Sequence, residues 1–224
     1  MTSAPAPGEC LIAYRQASEK AESILCITVS VKLSSSYGVA LMAKEYAIKE
    51  VPSVKIEVMD SLTATAAEGL IVLAAAKAAE AGASLEEVVK IARGVRDRVN
   101  AYVLLDTLRH VYRSGRIPKI AAQVGTMLNI RPLFTVHEKV HLSGIVRSRE
   151  HGIELMFEKI REKVGKSPIY AAVMHAYSPE AAAQLKDRVA KEFNCLDLWL
   201  TEFSPVMGYA CGTGTLAVAF YSEA

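Results

Sequence analysis

An apolar run that passes directly into a serine-rich turn and then into a helical pattern constrains the fold of this chain most. Residues 24–29 are the apolar run, residues 37–49 carry the helical spacing, and the turn between them reads Ser30-Val31-Lys32-Leu33-Ser34-Ser35-Ser36. In an open α/β sheet such a turn lies at the carboxyl edge of the strands, where ligands bind. The hydroxyls and the free N–H groups of the helix start predict an anion site, with a plain helix cap by Ser34 or Ser35 as the alternative.

The first half of the chain alternates strand and helix patterns. Apolar runs at residues 54–59 and 101–105 follow the first one, and an alanine-rich helix at residues 68–81 and a helix capped by Ser84 lie between them. Alternating strands and helices with short links are typical of right-handed crossovers and a parallel sheet. We therefore expect a parallel α/β lobe over residues 1–113.

The pattern changes in the second half. Strand patterns at residues 133–137 and 140–146 flank Glu138-Lys139 and predict a hairpin, and further strands alternate with helices up to residue 221. We expect an α+β lobe with a mixed or antiparallel sheet over residues 114–224. The whole chain is therefore predicted to be a two-lobed α/β protein.

Charge and hydropathy exclude several classes of protein. The 26 basic and 24 acidic residues are interleaved and give a net charge of +2, which indicates neither nucleic acid nor an anionic membrane as a partner. The most apolar stretch, residues 69–83, contains Lys77 and Glu80 and is too short to span a bilayer. The chain starts without a signal peptide pattern and its four cysteines lack metal-binding spacing, so we expect a cytoplasmic protein with free thiols, no metal and no cofactor.

Few residues match a catalytic pattern. Residues 212–214 form a Gly-Thr-Gly segment that lacks the third glycine of a dinucleotide fingerprint, and no P-loop motif occurs. Ser34 is not in a GxSxG elbow, and His175 is the one strand-end histidine that could serve it as a base. Arg116, between two breaks in the helical pattern, could bridge the two lobes or clamp an anion from both of them.

Seven short motifs occur in one order along nearly the whole chain: Thr2-Ser3-Ala4-Pro5, Lys32-Leu33-Ser34 with Tyr37, Asp60-Ser61, Asp106-Thr107-Leu108, Gly115-Arg116-Ile117, Asn129-Ile130-Arg131-Pro132 and Val146-Arg147. Together they resemble the DegV family, whose members are bacterial two-domain proteins that bind fatty acids and, in many organisms, present them to a fatty acid kinase. The resemblance implies a DegV-like fold with a long apolar tunnel. The carboxylate of the lipid is then expected at the mouth of the tunnel, between the lobes.

The resemblance also implies site residues. In the family, the hydroxyls equivalent to those of Thr2 and Ser34 hold the carboxylate, and Ser35, in the same turn as Ser34, is expected to contribute to the same carboxylate site. Further contacts with the head group or with a partner are implied for Ser3, Arg116, Arg147 and Gly212. The expected ligand is a long-chain fatty acid, the expected partner is a fatty acid kinase, and no catalytic residue is expected.

Two features depart from the family pattern. This chain has Ala210 where the family has a histidine that also hydrogen-bonds the carboxylate. Family members carry a first strand before the Thr-Ser-x-Pro motif, so we expect that an upstream segment is missing or that the first sheet is one strand short. Burial of an acyl chain contributes about 0.8 kcal/mol per methylene, against about 1.5–3 kcal/mol for one hydrogen bond to a charged group. Lipid binding is therefore expected to survive the loss of the histidine.

Two alternatives follow from the same residues. Ser34 could be the nucleophile of an acyl hydrolase or of a phosphotransfer enzyme. The chain could also be a degenerate relative that folds but binds little lipid. Turnover of an activated ester that depends on Ser34 distinguishes the enzyme from the binding protein.

Overall fold

A computed structural model describes residues 3–107 and 130–223 of the chain. The chain divides into two compact units, Met1–Asp97 and Arg98–Ala224. The described helices are α1 Pro7–Ser18, α2 Ser36–Glu50, α3 Thr65–Glu80, α4 Leu85–Arg96, α5 Arg149–Val164, α6 Pro179–Glu192 and α7 Pro205–Cys211. The described strands are β1 Ser23–Thr28, β2 Lys55–Asp60, β3 Asn100–Leu104, β4 Arg131–His137, β5 Lys139–Val146, β6 Ile169–His175, β7 Cys195–Glu202 and β8 Leu216–Ser222.

The first unit is built around the parallel pair β1–β2. Thr28 lies opposite Asp60 in the register, and α2 is the crossover that connects the two strands and so runs antiparallel to them. Ile24 and Cys26 of β1 pack against α1 and α2 in a small core around Tyr14, and α3 and α4 also contact β1. The predicted strand, serine turn and helix are therefore confirmed, as is the parallel pairing of the first two strands.

The second unit contains a mixed six-stranded sheet in the order β5-β4-β3-β8-β6-β7. Its neighbouring strands are antiparallel except for β6 and β7, which are parallel. Helices α5 and α6 cover one face, where the largest core cluster includes Leu133, Phe157, Val173, Leu185 and Phe220. The predicted β4–β5 hairpin and the mixed sheet of the second half are confirmed.

Strand β3 belongs to the second sheet, so its assignment to the parallel sheet of the first lobe is wrong. Ala101 pairs with Ala219 of β8, and Val103 pairs with Phe134 of β4, in both cases antiparallel. The strand is buried from Ala101 onward, and an apolar run of this kind is typical of an interior strand in either type of sheet. The boundary predicted between residues 113 and 114 lies outside the described residues and stays a prediction.

Helix α5 crosses β3 at Gly152. A Cβ atom added at Gly152 would lie 2.5 Å from Cδ1 and 2.7 Å from Cδ2 of Leu104. The Leu104 side chain is only 2% exposed and has little room to move away. Glycine at this position therefore allows the helix backbone to approach the strand closely.

Helices α4 and α7 illustrate what the sequence pattern does and does not reveal. The predicted cap of α4 is confirmed, because the Ser84 hydroxyl accepts a hydrogen bond from the Glu87 N–H at 3.4 Å and the Ser84 N–H donates to Glu87 Oε2 at 2.8 Å. Helix α7 has no counterpart in the sequence prediction. It is seven residues long, too short for a helical period to show, and its one signal is a proline at its start.

Candidate ligand-binding site

The serine turn, residues 30–36, follows the end of β1 and is closed by its own backbone hydrogen bonds. The N–H groups of Leu33 and Ser34 both donate to the Ser30 carbonyl, at 2.8 and 3.0 Å. Ser34 Oγ lies 2.8 Å from Ser36 Oγ and accepts a hydrogen bond from the Ser36 N–H at 3.2 Å. The tight turn therefore places a small cluster of hydroxyls at the first residue of α2.

The positive end of α2 is open to an anion. Ser35 is the N-cap residue, but its exposed side chain makes no capping hydrogen bond. The first turn of α2, which is described in full, contains no acidic residue. The helix dipole and the first N–H groups favour negative charge here, typically by about 0.3–1 kcal/mol.

A second turn, residues 60–65, is bonded to the serine turn and to the end of β1. The Ser30 N–H donates to the Thr63 carbonyl at 2.8 Å. The two carboxylate oxygens of Asp60 accept the N–H groups of Leu62 at 2.9 Å and of Val31 at 3.3 Å. Asp60 thus connects the loops that follow β1 and β2, and it holds them at one edge of the parallel sheet.

Residues 60–65 also carry backbone strain. Leu62 and Thr65 have φ angles of +56° and +63°. A β-branched residue such as threonine rarely adopts this left-handed region, and strain of this kind is concentrated at functional sites. The hydrogen bonds to Asp60 and Ser30 hold the strained turn in place.

Glu68 adds a titratable carboxyl group to this edge of the first unit. It lies in the first turn of α3. Burial of its side chain and, to a smaller extent, the nearby Asp60 carboxylate raise the pKa of Glu68 to about 7. Near neutral pH, Glu68 is therefore protonated in a substantial fraction of the molecules.

The second unit contains a cluster of three charged side chains, Asp106, Arg131 and Arg149, which we call the Asp106 cluster. Asp106 Oδ1 accepts from Arg131 Nε at 2.9 Å and from Arg149 Nη2 at 3.2 Å. Partial burial alone would raise the pKa of Asp106, but the hydrogen bonds and charges of the two arginines outweigh it and hold the pKa below its ordinary value. The cluster ties the end of β3 to the starts of β4 and α5.

The segment before β8 packs against the Asp106 cluster. The Arg149 guanidinium lies 3.5 Å from the Gly214 carbonyl. Gly214 has a φ angle of +83°, and a Cβ atom there would lie 3.0 Å from the Asp106 Cβ. Glycine is required at this position for both reasons. The Asp106 cluster thus positions the segment that includes residues 212–214.

The predicted site residues fall into three groups. Thr2 and Arg116 lie outside the described residues. Ser34 and Ser35 share the serine turn of the first unit, where Ser3 is exposed ahead of α1. In the second unit the carbonyl of Arg147 contacts Arg131 of the Asp106 cluster, and Gly212 lies two residues before Gly214, which contacts that cluster.

The two predicted residues of the second unit contribute backbone groups to their surroundings. The side chain of Arg147 is exposed, and its carbonyl accepts from Arg131 Nη1 at 3.1 Å. Gly212 is buried at the end of α7, and its carbonyl accepts the Thr215 hydroxyl at 2.9 Å.

Sequence reasoning missed several residues of this arrangement. Asp106 and Arg131 stood only as parts of motifs, and neither Arg149 nor Glu68 was singled out. Arg149 is 43 residues from Asp106 in the chain, so no local spacing could pair them. A glutamate in the first turn of a helix is a common helix-start signal. In the sequence, therefore, nothing distinguishes the buried Glu68 from an exposed glutamate at a helix start.

His175, the candidate base for a catalytic Ser34, makes the contacts of a residue that stabilises the fold. It is buried at the end of β6, and its Nδ1 accepts a hydrogen bond from the Ser178 N–H at 3.3 Å. The hydrogen-bond partners of Ser34 Oγ belong to Ser36 of its own turn. These contacts favour a histidine that stabilises the β6–α6 connection.

Comparison with known proteins gives the family. The sequence model for the DegV family, whose members it describes as uncharacterised proteins, matches residues 1–223. The DegV domain-containing protein YteA of Lactococcus lactis is 31% identical over 213 residues, which is 94% of this chain and 74% of that protein. This chain belongs to the DegV family. In this DegV chain, the motifs at residues 32–37, 60–61 and 146–147 lie on the turns and strand ends described above.

Solved DegV structures share the fold of this DegV chain. A DegV family protein from Thermus thermophilus, described for its fatty acid binding, superposes with a TM-score of 0.90 at 29% identity and covers 100% of this chain and 79% of its own. DegV from Bacillus subtilis, a fatty acid binding protein, gives a TM-score of 0.84 at 25% identity over 98% of this chain and 77% of its own. The predicted DegV-like fold is confirmed: a parallel two-stranded sheet and a mixed six-stranded sheet.

The described residues offer neither a membrane-spanning helix nor a metal site. Across residues 3–107 and 130–223, no helix is both long enough and apolar enough to cross a bilayer. The same residues contain no group of three histidine, cysteine, aspartate or glutamate side chains arranged to hold a metal ion. All four cysteines are free.

Proposed function

We propose that this DegV chain binds a long-chain fatty acid, with the carboxylate at the serine turn, and that it has no catalytic activity of its own. The observation that carries the proposal is the likeness, over the whole chain, to a DegV protein described for its fatty acid binding. The open positive end of α2 supports a carboxylate as the head group.

The proposed head-group contacts come from hydroxyls rather than from a cation. Ser34 Oγ is held in position by Ser36, and among the described side chains it is bonded to no acid or base, which suits a hydroxyl that donates to a ligand carboxylate. Ser35 is exposed and makes no capping bond, so it is available as a second donor. Thr2 completes the proposed set through the family motif.

The lipid tail supplies most of the proposed affinity. At about 0.8 kcal/mol per methylene, burial of a dozen methylenes is worth on the order of 10 kcal/mol before the costs of binding. The histidine that Ala210 replaces would contribute one hydrogen bond, worth about 1.5–3 kcal/mol. The chain is therefore proposed to keep its lipid while it holds the carboxylate with fewer donors.

A second, more specific part of the proposal is that the chain presents the carboxylate to a fatty acid kinase. It rests on the family motifs, with Arg116, the exposed side chain of Arg147 and the segment around Gly212 as contacts for the phosphorylated head group or the kinase. The chain would act in the cytoplasm as the lipid carrier of that reaction. Formation of an acyl phosphate by an added DegV-dependent kinase tests this part separately.

Native mass spectrometry of the purified chain, followed by lipid extraction, tests fatty acid binding. We expect a retained acyl chain, and we expect Ser34→Ala to weaken the affinity for hexadecanoic acid by about 10-fold or more because a hydrogen bond to a charged group is lost. Ser23→Ala, at an exposed serine at the start of β1, is the matched control and should bind like the parent.

Two outcomes would contradict the proposal. A well-folded parent without lipid and without saturable binding of hexadecanoic acid would exclude a fatty acid carrier. Hydrolysis of an activated ester by the parent, abolished by Ser34→Ala, would favour the serine-dependent enzyme instead.

A further inference from the structure

Thr28 carries a buried hydroxyl without a hydrogen-bond partner. The residue is 8% exposed, and within residues 3–107 and 130–223 nothing donates to or accepts from its Oγ1. Leaving such a group unpaired costs about 1–3 kcal/mol, and native proteins rarely do so without a reason. A partner outside the described residues, either an ordered water or a ligand, would offset this cost.

The position of Thr28 relates this hydroxyl to the serine turn. Thr28 is the last residue of β1 and lies on the same strand face as Ile24 and Cys26, because side chains alternate along a strand. That face packs against α2, which runs antiparallel to β1. Thr28 is consequently at the end of β1 that lies beside the start of α2, the helix that Ser34 precedes by two residues.

The surroundings of Thr28 suit an anionic partner. The first turn of α2 has no acidic residue of its own, and the positive end of the helix dipole favours negative charge there. The nearest carboxylate in the register is Asp60, whose two oxygens are already engaged by the N–H groups of Val31 and Leu62. A carboxylate oxygen that enters from the serine turn would supply the acceptor that Thr28 lacks.

We propose that Thr28 donates a hydrogen bond to the carboxylate of the bound fatty acid, as a head-group contact additional to Ser34. This inference rests on the proposed function, because the ligand is the fatty acid proposed above. It adds a third hydroxyl donor of the first unit to the proposed contacts of Ser34 and Ser35. It also explains why β1 ends in a polar residue whose hydroxyl is unpaired within residues 3–107 and 130–223.

An isosteric substitution tests the proposal. Thr28→Val removes the hydroxyl, keeps the shape, and suits a buried strand, whereas Thr28→Ser keeps the hydroxyl. We expect Thr28→Val to bind hexadecanoic acid about 10-fold or more weakly, and Thr28→Ser to bind it like the parent. Binding of hexadecanol, which has no carboxylate, should change only several-fold at most in either variant.

The outcomes separate this inference from the proposed function. If the parent binds hexadecanoic acid and Thr28→Val binds it equally well, Thr28 is an orphan hydroxyl and only the inference is overturned. If the parent binds no fatty acid, both are overturned. Thr28→Ala removes the same hydroxyl and decides the question if the valine variant fails to fold, which circular dichroism of the lipid-free protein would reveal.

Discussion

Asp60 and Glu68 already place two carboxyl groups near the turn at which we propose that a fatty acid carboxylate binds. The negative charge of Asp60 is partly offset by hydrogen bonds from two backbone N–H groups. Glu68 avoids a second negative charge by keeping its proton up to about neutral pH, since burial and Asp60 raise its pKa to about 7. A fatty acid carboxylate bound at the serine turn, as we propose, would therefore meet less repulsion, because Glu68 is protonated and Asp60 is hydrogen-bonded.

Replacement of Glu68 by glutamine should reveal this protonation as a change in stability. The ordinary pKa of glutamate is about 4.3, so the folded state holds the proton more tightly than the unfolded state. The parent consequently loses free energy of unfolding as the pH rises from about 4 to about 7, whereas Glu68→Gln has no such proton to lose. We expect equal stability near pH 4 and an advantage of roughly 1–3 kcal/mol for Glu68→Gln at about pH 8.

Urea unfolding of the lipid-free protein across this pH range measures the difference. Glu86→Gln, at an exposed acid in the first turn of α4, is the matched control and should stay within about 0.5 kcal/mol of the parent at every pH. A parent and a Glu68→Gln variant whose stabilities run parallel from pH 4 to pH 8 would show that Glu68 ionises normally.

At the scale of elements, the approach of α5 to β3 depends on one missing side chain. Alanine is normally favoured over glycine inside a helix by about 0.5–1 kcal/mol. At Gly152 the added methyl group would collide with both terminal carbons of the buried Leu104. We expect Gly152→Ala to destabilise the protein by about 1–3 kcal/mol, because the strain of overpacking exceeds the gain in helix propensity.

Gly69→Ala is the matched control for this prediction. Gly69 lies inside α3, and a Cβ atom there would meet nothing within 4 Å. This variant should be more stable than the parent by up to about 1 kcal/mol in the same thermal or urea unfolding experiment. A stabilising effect at both glycines would mean that α5 and β3 separate without cost.

Local pattern predicted the elements better than it predicted their partners. The serine turn, the cap at Ser84 and the β4–β5 hairpin each depend on a few consecutive residues, and all were recognised from the sequence. The place of β3 depends on β8, which lies more than a hundred residues further along the chain. The residues Asp106 and Arg149 are likewise far apart in the chain, so no local pattern in the sequence indicates that they pair.

The whole molecule is not equally stable throughout. In the second unit, β8 is paired on both edges, and its residues from Leu216 to Phe220 are at most 1% exposed. Strands β5 and β7 lie at the edges of that sheet, and several of their side chains are exposed. Backbone groups in the interior strands can exchange with water only through larger opening events.

Hydrogen exchange of the lipid-free protein should follow this order. We expect peptides that cover Leu216–Ser222 to exchange most slowly and peptides that cover β5 or β7 to exchange at least about 10-fold faster, since each 1.4 kcal/mol of opening free energy is a factor of ten. Rates measured on the denatured chain correct for local sequence. Protection of the edge strands equal to that of β8 would indicate that they are covered in solution.

The central position of β8 also has a consequence for synthesis on the ribosome. It follows every other described strand in the chain, yet it joins β3 to β6. Until it emerges, the nascent chain exposes an open edge on each of those strands, and neither contains a lysine, arginine or acidic residue that would discourage pairing with another chain. Biosynthesis thus includes an interval in which two half-sheets need protection from aggregation, and the arrival of a single late strand closes both edges at once.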